Sequence, residues 1–223
     1  GVLSDMMCHS VEVARYLLTE PGRDRHSLRP LSASATIATL KWGRREYARR
    51  LEETIGVDYS SRPAEDFARG TLALEDEAGN RLIIEATTSW SYVGPGLRIQ
   101  LELLGPEYAM EYSTLNSGLK VFLSRNVSGE AGEDLVEKQN AEQGLMPVLE
   151  DEAASYGYTL EDRHMVGCFL RGERPEETFR DGVAVVELLM ALYRSAETGR
   201  TIALPDPELE DYVPAVARGE YRG

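Results

Sequence analysis

Apolar residues recur at helical spacing in the opening stretch GVLSDMMCHSVEVARYLL. Met7, Val11, Ala14 and Leu18 fall on one face of a helix over residues 5–19. Asp5, His9, Glu12 and Tyr16 fall on a roughly opposite face, and Pro21 with Gly22 ends the element. The period then changes. LSASATIATLKW (31–42) alternates small or polar with apolar residues, as a strand does. REYARRLEETIG (45–56) returns to a short helix stopped by Gly56. DFARGTLALED and NRLIIEATTSWS alternate in register around EDEAGN, which is a hairpin signal. GLRIQLELLG, EYAMEYST and GLKVFLSR follow at short spacing. A meander of about five strands is therefore expected.

Residues 125–158 are acidic and loop-like. Beyond them, Thr159 and Asp162 stand three apart before an apolar stretch, a variant of the capping box that predicts a helix through about Leu170. DGVAVVELLMALYRSAETG (181–199) is apolar almost all round between Val183 and Tyr193, which predicts burial of most of its surface. Gly199 occupies the place of a C′ glycine, and Arg194 and Arg200 stand near the negative end of the helix dipole. RTIAL makes a final strand, 205–223 is a proline-bearing tail, and no internal repeat is visible. Helices at both ends of a β-rich middle predict an α+β fold, a large, mostly antiparallel or mixed open sheet with helices packed on one face.

Composition narrows the function classes. With 223 residues, 42% hydrophobic and 28% charged, the chain can bury a sizeable core in one large domain or two small ones. A net charge of −14 argues against nucleic acid and against an anionic membrane surface. The basic run GRREYARR reads as a solvated helix face. No apolar run approaches the roughly 20 residues of a membrane span, and no signal-peptide pattern stands at the N-terminus. Two cysteines, Cys8 and Cys168, are too few for a disulfide framework, so a reducing, cytoplasmic setting is the expectation.

Few residue patterns carry chemistry. Asp5 and His9 at i, i+4 share a helix face, about 6 Å apart at Cβ. The imidazole could move a proton while the carboxylate raises its basicity or orients a hydroxyl. Spacing alone favours the plainer alternative, a first-turn acid complementing the dipole and an exposed histidine. Cys8, His9, His164 and Cys168 make a poor zinc set, because adjacent helical residues point about 100° apart; no metal is expected. There is no G-x-S-x-G and no P-loop, and GPGLRI leads into a strand without a third glycine, so no nucleotide cradle is visible. Trp90 and Tyr92 share a strand face, which lines a sugar site or packs on a helix.

Read together, the two ends resemble one family. GVLSDMMCHSVEVARYLL is similar to the helix that opens the C-terminal domain of glucose–fructose oxidoreductase, inositol dehydrogenase and rhizopine-catabolism (Gfo/Idh/MocA) proteins, with a glycine, a few apolar residues and Asp-x-x-x-His. HMVGCFLRGERPEETFRDGVAVVELLMALYRSAETGRTIAL resembles the family's closing block, so the likeness covers nearly the whole chain. It implies a dihydrodipicolinate-reductase-like domain over 1–204 for substrate binding and oligomerisation, followed by the tail at 205–223. It also implies a parent enzyme that uses NAD or NADP on a sugar, polyol or related hydroxy compound. The nucleotide-binding Rossmann half and its catalytic lysine would precede position 1, and the isolated domain would be inactive alone.

By the same resemblance His9 is the proton-transferring residue, while Asp5 holds the substrate hydroxyls beside it. Hydride would pass between the substrate carbon and the nicotinamide. Trp90 and Tyr92 are the further substrate-binding candidates. Where the family has a small residue before the histidine this chain has MMC, whose bulk at Met7 or Cys8 is expected to alter the pocket. Homo-oligomerisation through the open sheet face is implied as well. Competing readings are a non-catalytic dimerisation or scaffold module and an NAD-dependent glycoside hydrolase of the same superfamily.

Overall fold

The structure, a computed structural model, describes residues 1–91, 98–106, 108–114, 120–123, 144–147 and 152–223. It divides into two units, 1–91 with 177–223, and 92–176.

The first unit is built on a four-stranded antiparallel sheet in the order β3-β2-β1-β8, formed by β1 (Arg29–Ala38), β2 (Phe67–Glu75), β3 (Arg81–Ser89) and β8 (Ile202–Ala203). The expected β2–β3 hairpin is present, in register from Phe67↔Ser89 to Glu75↔Arg81. Its turn closes on Asp76, which accepts N–H bonds from Ala78 and Asn80 while Gly79 adopts φ 85°. Two helices cover one face of this sheet, α1 (Val2–Leu18) and α5 (Phe179–Thr198). Leu3, Met7 and Val11 of α1 and Leu188 and Leu192 of α5 meet Ala33, Ala68, Leu72 and Ile84 of the strands in one core. Gly70 lets them close. A Cβ there would lie 3.0 Å from Leu192 Cδ2 and 3.4 Å from Met7 Sδ. Ser34, Thr36, Arg69, Thr71, Glu85 and Thr87 line the opposite, uncovered face.

The α+β expectation holds, and α2 (Arg45–Ile55) ends at Gly56 in the left-handed region, φ 73°. Several details differ. The strands do not form one meander. Among the described residues β4 (Gln100–Leu104) pairs with β5 (Ala109–Ser113), and β6 (Lys120–Leu123) pairs with β7 (Gly144–Pro147), the latter inside the stretch expected to be loop. β1 already has β2 and β8 as neighbours, so the first sheet grows from the chain's two ends. The four-residue GLMP of β7 is too short to show a period. A one-turn α3 (Glu152–Ser155) lies in the same stretch. α4 (Tyr158–Arg171) starts at Gly157 without any side-chain cap, so Thr159 and Asp162 lie inside the helix, not at its N-cap.

The capping box belongs to α5, where the Asp181 carboxylate accepts the Thr178 N–H at 2.9 Å and its hydroxyl at 2.6 Å. α5 is buried along Val185, Leu188, Leu189, Leu192 and Tyr193, whereas Val183 and Val186 are exposed. Gly199 is its left-handed C′ residue. Arg194 does more than complement the dipole, binding Asp206 at 2.6 Å and also Glu208.

Glu12 also departs from the expected pattern. It is withdrawn from the exposed face and pairs with the buried Arg15 at 2.5 Å and Arg25 at 2.9 Å. Glu177 joins the cluster through Arg25 at 3.1 Å. Burial and the Glu12 carboxylate push the Glu177 carboxyl from 4.5 up to about 7, against the pull of Arg25. An acid whose pKa rises on folding holds its proton more tightly in the native state. Stability therefore falls as pH rises from the ordinary carboxylate range to about 7, and the penalty persists above it. Glu177→Gln should remove that slope. Urea melts across the range from pH 4.5 to about 7 test it, and an unchanged slope would assign the effect elsewhere.

Candidate functional site

α1 presents the candidates Asp5 and His9 on an exposed face and packs its other face into the core. Met7 is fully buried on the face that meets Gly70, so its bulk does not enter the exposed side where Asp5 and His9 stand. That corrects the expectation for Met7. Cys8 is half-buried, donates its thiol to the Asp5 carbonyl at 3.3 Å, and has its pKa pushed up by burial, so it stays a neutral thiol.

The helix start is held from outside. No side chain of α1 caps it. Instead Val2 N–H donates to the Glu65 carbonyl and Leu3 N–H to Glu65 Oε1, both at 3.0 Å. The Tyr193 hydroxyl donates to the same oxygen at 2.7 Å. Gly1 sits so close to this carboxyl that a Cβ would overlap it, which gives the leading glycine a physical reason. Glu65 is fully buried, and burial followed by its charge pushes the Tyr193 pKa upward.

Beside Glu65, the equally buried Asp66 anchors a second element. Its carboxylate accepts the N–H groups of Leu40 at 2.7 Å and of Lys41 and Trp42 at 2.8 Å, a nest of backbone donors around one anion. The Lys41 ammonium lies 4.4 Å above the Trp42 ring and 5.5 Å from that of Tyr47, and burial followed by the Arg50 charge lowers its pKa.

Of the residues singled out in the sequence, Asp5 and Trp90 are brought together. The Trp90 indole N–H donates to Asp5 Oδ2 at 3.2 Å across 85 residues of sequence. His9 is exposed one turn further along α1. Tyr92 lies outside the described residues. Cys168 stands 3.7 Å from His164 Nε2, and among the described residues no group of three or more His, Cys, Asp and Glu is placed to hold a metal ion. Two surface depressions lie elsewhere. One of about 290 Å³ is lined by Leu18, Leu28 and Asp76, and one of about 410 Å³ by Ile37, Glu197 and Tyr221. Glu65 and Asp66 are the residues sequence reading missed. The available signal was a pair of adjacent acids opening a strand, where a carboxylate has to find donors once buried.

The described residues offer no dinucleotide cradle. Every strand pair among them is antiparallel, whereas the cradle is a strand-to-helix turn in a parallel sheet. No helix among them is long and apolar enough to cross a membrane.

Comparison with known proteins places this geometry. The family model described as "Oxidoreductase family, C-terminal alpha/beta domain" matches residues 1–204. Among solved structures, GenD2 from gentamicin A biosynthesis, in complex with NAD, is similar at 25% identity over 92% of this chain and 48% of its own, with a TM-score of 0.63. A myo-inositol 2-dehydrogenase from Lactobacillus plantarum matches at 18% identity, 91% and 48% coverage and a TM-score of 0.55. A myo-inositol dehydrogenase from Corynebacterium glutamicum matches at 20%, 92% and 50%, with 0.54. The last two share the fold. The chain spans about half the length of each of these structures. No curated protein matches the chain.

Proposed function

Because the chain belongs to the Gfo/Idh/MocA oxidoreductase family as its C-terminal α/β domain, we propose that it forms the substrate-binding half of an NAD(P)-dependent enzyme. The substrate is a sugar, polyol or related hydroxy compound. The observation that carries this reading is the Asp5–Trp90 bond one helical turn before His9. With Oδ2 held by the indole, Asp5 keeps Oδ1 free to accept a substrate hydroxyl, and His9 takes up that hydroxyl's proton as general base. Both side chains are exposed and neither lines either surface depression. A closed pocket therefore needs a further surface over α1, which this reading assigns to a nucleotide-binding half. GenD2, solved in complex with NAD, supports the cofactor class. The sheet face opposite α1, which carries Ser34, Thr36, Arg69, Thr71, Glu85 and Thr87, is left for contact between subunits.

The full-length protein, given NAD and NADP with a panel of sugars and polyols, should reduce cofactor with at least one member of the panel. Silence across the panel with both cofactors would sink the reading. This chain alone should bind no NADH in calorimetry, and micromolar binding would contradict the division of labour. Sedimentation of the same full-length preparation reads the subunit contact, and a monomer would remove it.

A further inference from the structure

We propose that Asp66 is a positioning residue for the Asp5 site, acting through Trp90. Asp66 ties together the ends of three strands. Its N–H donates to the Ala38 carbonyl at the end of β1 (3.1 Å), and its carboxylate holds the turn that follows through Leu40, Lys41 and Trp42. Its carbonyl accepts the Trp90 N–H at 2.9 Å and the Ser89 hydroxyl at 2.7 Å, at the end of β3. The backbone at 89–90 is thus pinned on both sides of one oxygen, which leaves Trp90 mainly its side-chain rotations to reach Asp5.

The other partner of that bond is fixed by the preceding residue. Glu65 holds the first turn of α1, and with it Asp5, through Val2 and Leu3. Consecutive buried acids therefore fix the two halves of one hydrogen bond, the helix bearing the carboxylate and the strand end bearing the indole. The geometry decides which Asp5 oxygen is occupied and which is presented. A neutral loop residue could end β1 and open β2. A carboxylate fully enclosed by three N–H donors makes the junction stiff, since charge-assisted bonds are roughly twice as strong as neutral ones.

The proposal takes from the proposed function only that Asp5 faces substrate. Its test needs no substrate. In the full-length protein, nitrogen-15-labelled on tryptophan, the Trp90 indole resonance is assigned by its loss in Trp90→Phe. Asp5→Ala, which removes the acceptor, should move it upfield, toward the position of an indole without a carboxylate partner. Asp66→Asn should move it in the same direction while the circular dichroism spectrum is retained. If Asp66→Asn does not fold, Ser89→Ala, which removes one of the two bonds to the Asp66 carbonyl, should move the resonance part of the way. A resonance unmoved in Asp5→Ala overturns the proposal. So does a resonance unmoved in folded Asp66→Asn, or in Ser89→Ala. An inactive substrate panel leaves this result standing, and an unmoved resonance leaves the panel standing.

Discussion

Replacing His9 with alanine in the proposed full-length enzyme should lower turnover by about 10²–10⁴-fold, the usual contribution of a positioned general acid or base. The side chain is exposed and lies outside the buried core, so thermal stability should barely change. The prediction therefore separates chemistry from folding. It is checked by steady-state rates on a substrate found in the panel, together with a melting curve. Unchanged turnover would remove His9 from the site, and a large loss of stability would mean that its role is structural. Asp5→Asn should act differently, raising KM more than it lowers turnover, because the proposed function has the carboxylate orient the hydroxyl and take no proton from it.

The second large effect is on folding. Met7→Ala should destabilise the domain by about 2–5 kcal/mol, the range for truncating a buried methionine where the surroundings cannot collapse. Met7 is fully buried and meets the sheet at Gly70, where α1, α5 and β2 converge without a side chain from the strand. The sheet behind it is hydrogen-bonded across two neighbours and cannot move in to fill the gap. Urea unfolding reads the loss directly. A cost below about 1 kcal/mol would mean that the helix re-seats on the sheet. Turnover per folded molecule should survive, because Met7 points away from Asp5 and His9.

The contrast between these two residues shows what the sequence made legible. Period 3.6 put Met7 and Val11 inside and Asp5 and His9 outside, since burial is what hydrophobic spacing records. The same rule failed for Glu12. It was expected on the exposed face, yet it is half-buried between Arg15 and Arg25, and no local pattern encodes the position of Arg25. The hairpin at EDEAGN was legible because turn chemistry is local. The partners of β1 and β6 were not, because strand order depends on segments distant in sequence. The Asp5–Trp90 bond spans 85 residues, so spacing could nominate its members only separately. Glu65 and Asp66 escaped notice for a related reason. Apart from the Tyr193 hydroxyl on Glu65, their donors are backbone N–H groups, which leave no mark on residue identity.

The division of the first unit between the two chain ends has a consequence for how the molecule is made. On the ribosome, α1, β1, β2 and β3 emerge early, but α5 and β8 follow only after the whole of 92–176 has been synthesised. Until then Leu72, Leu74 and Ile84 have half their cover, and the β1 edge that β8 will occupy is open. Closing that long interval is a slow, non-local step. A nascent chain therefore passes through a stage with an apolar sheet face and an unpaired edge, the combination most prone to self-association. The hazard is set by the order of synthesis and vanishes once α5 docks and β8 pairs with the β1 edge.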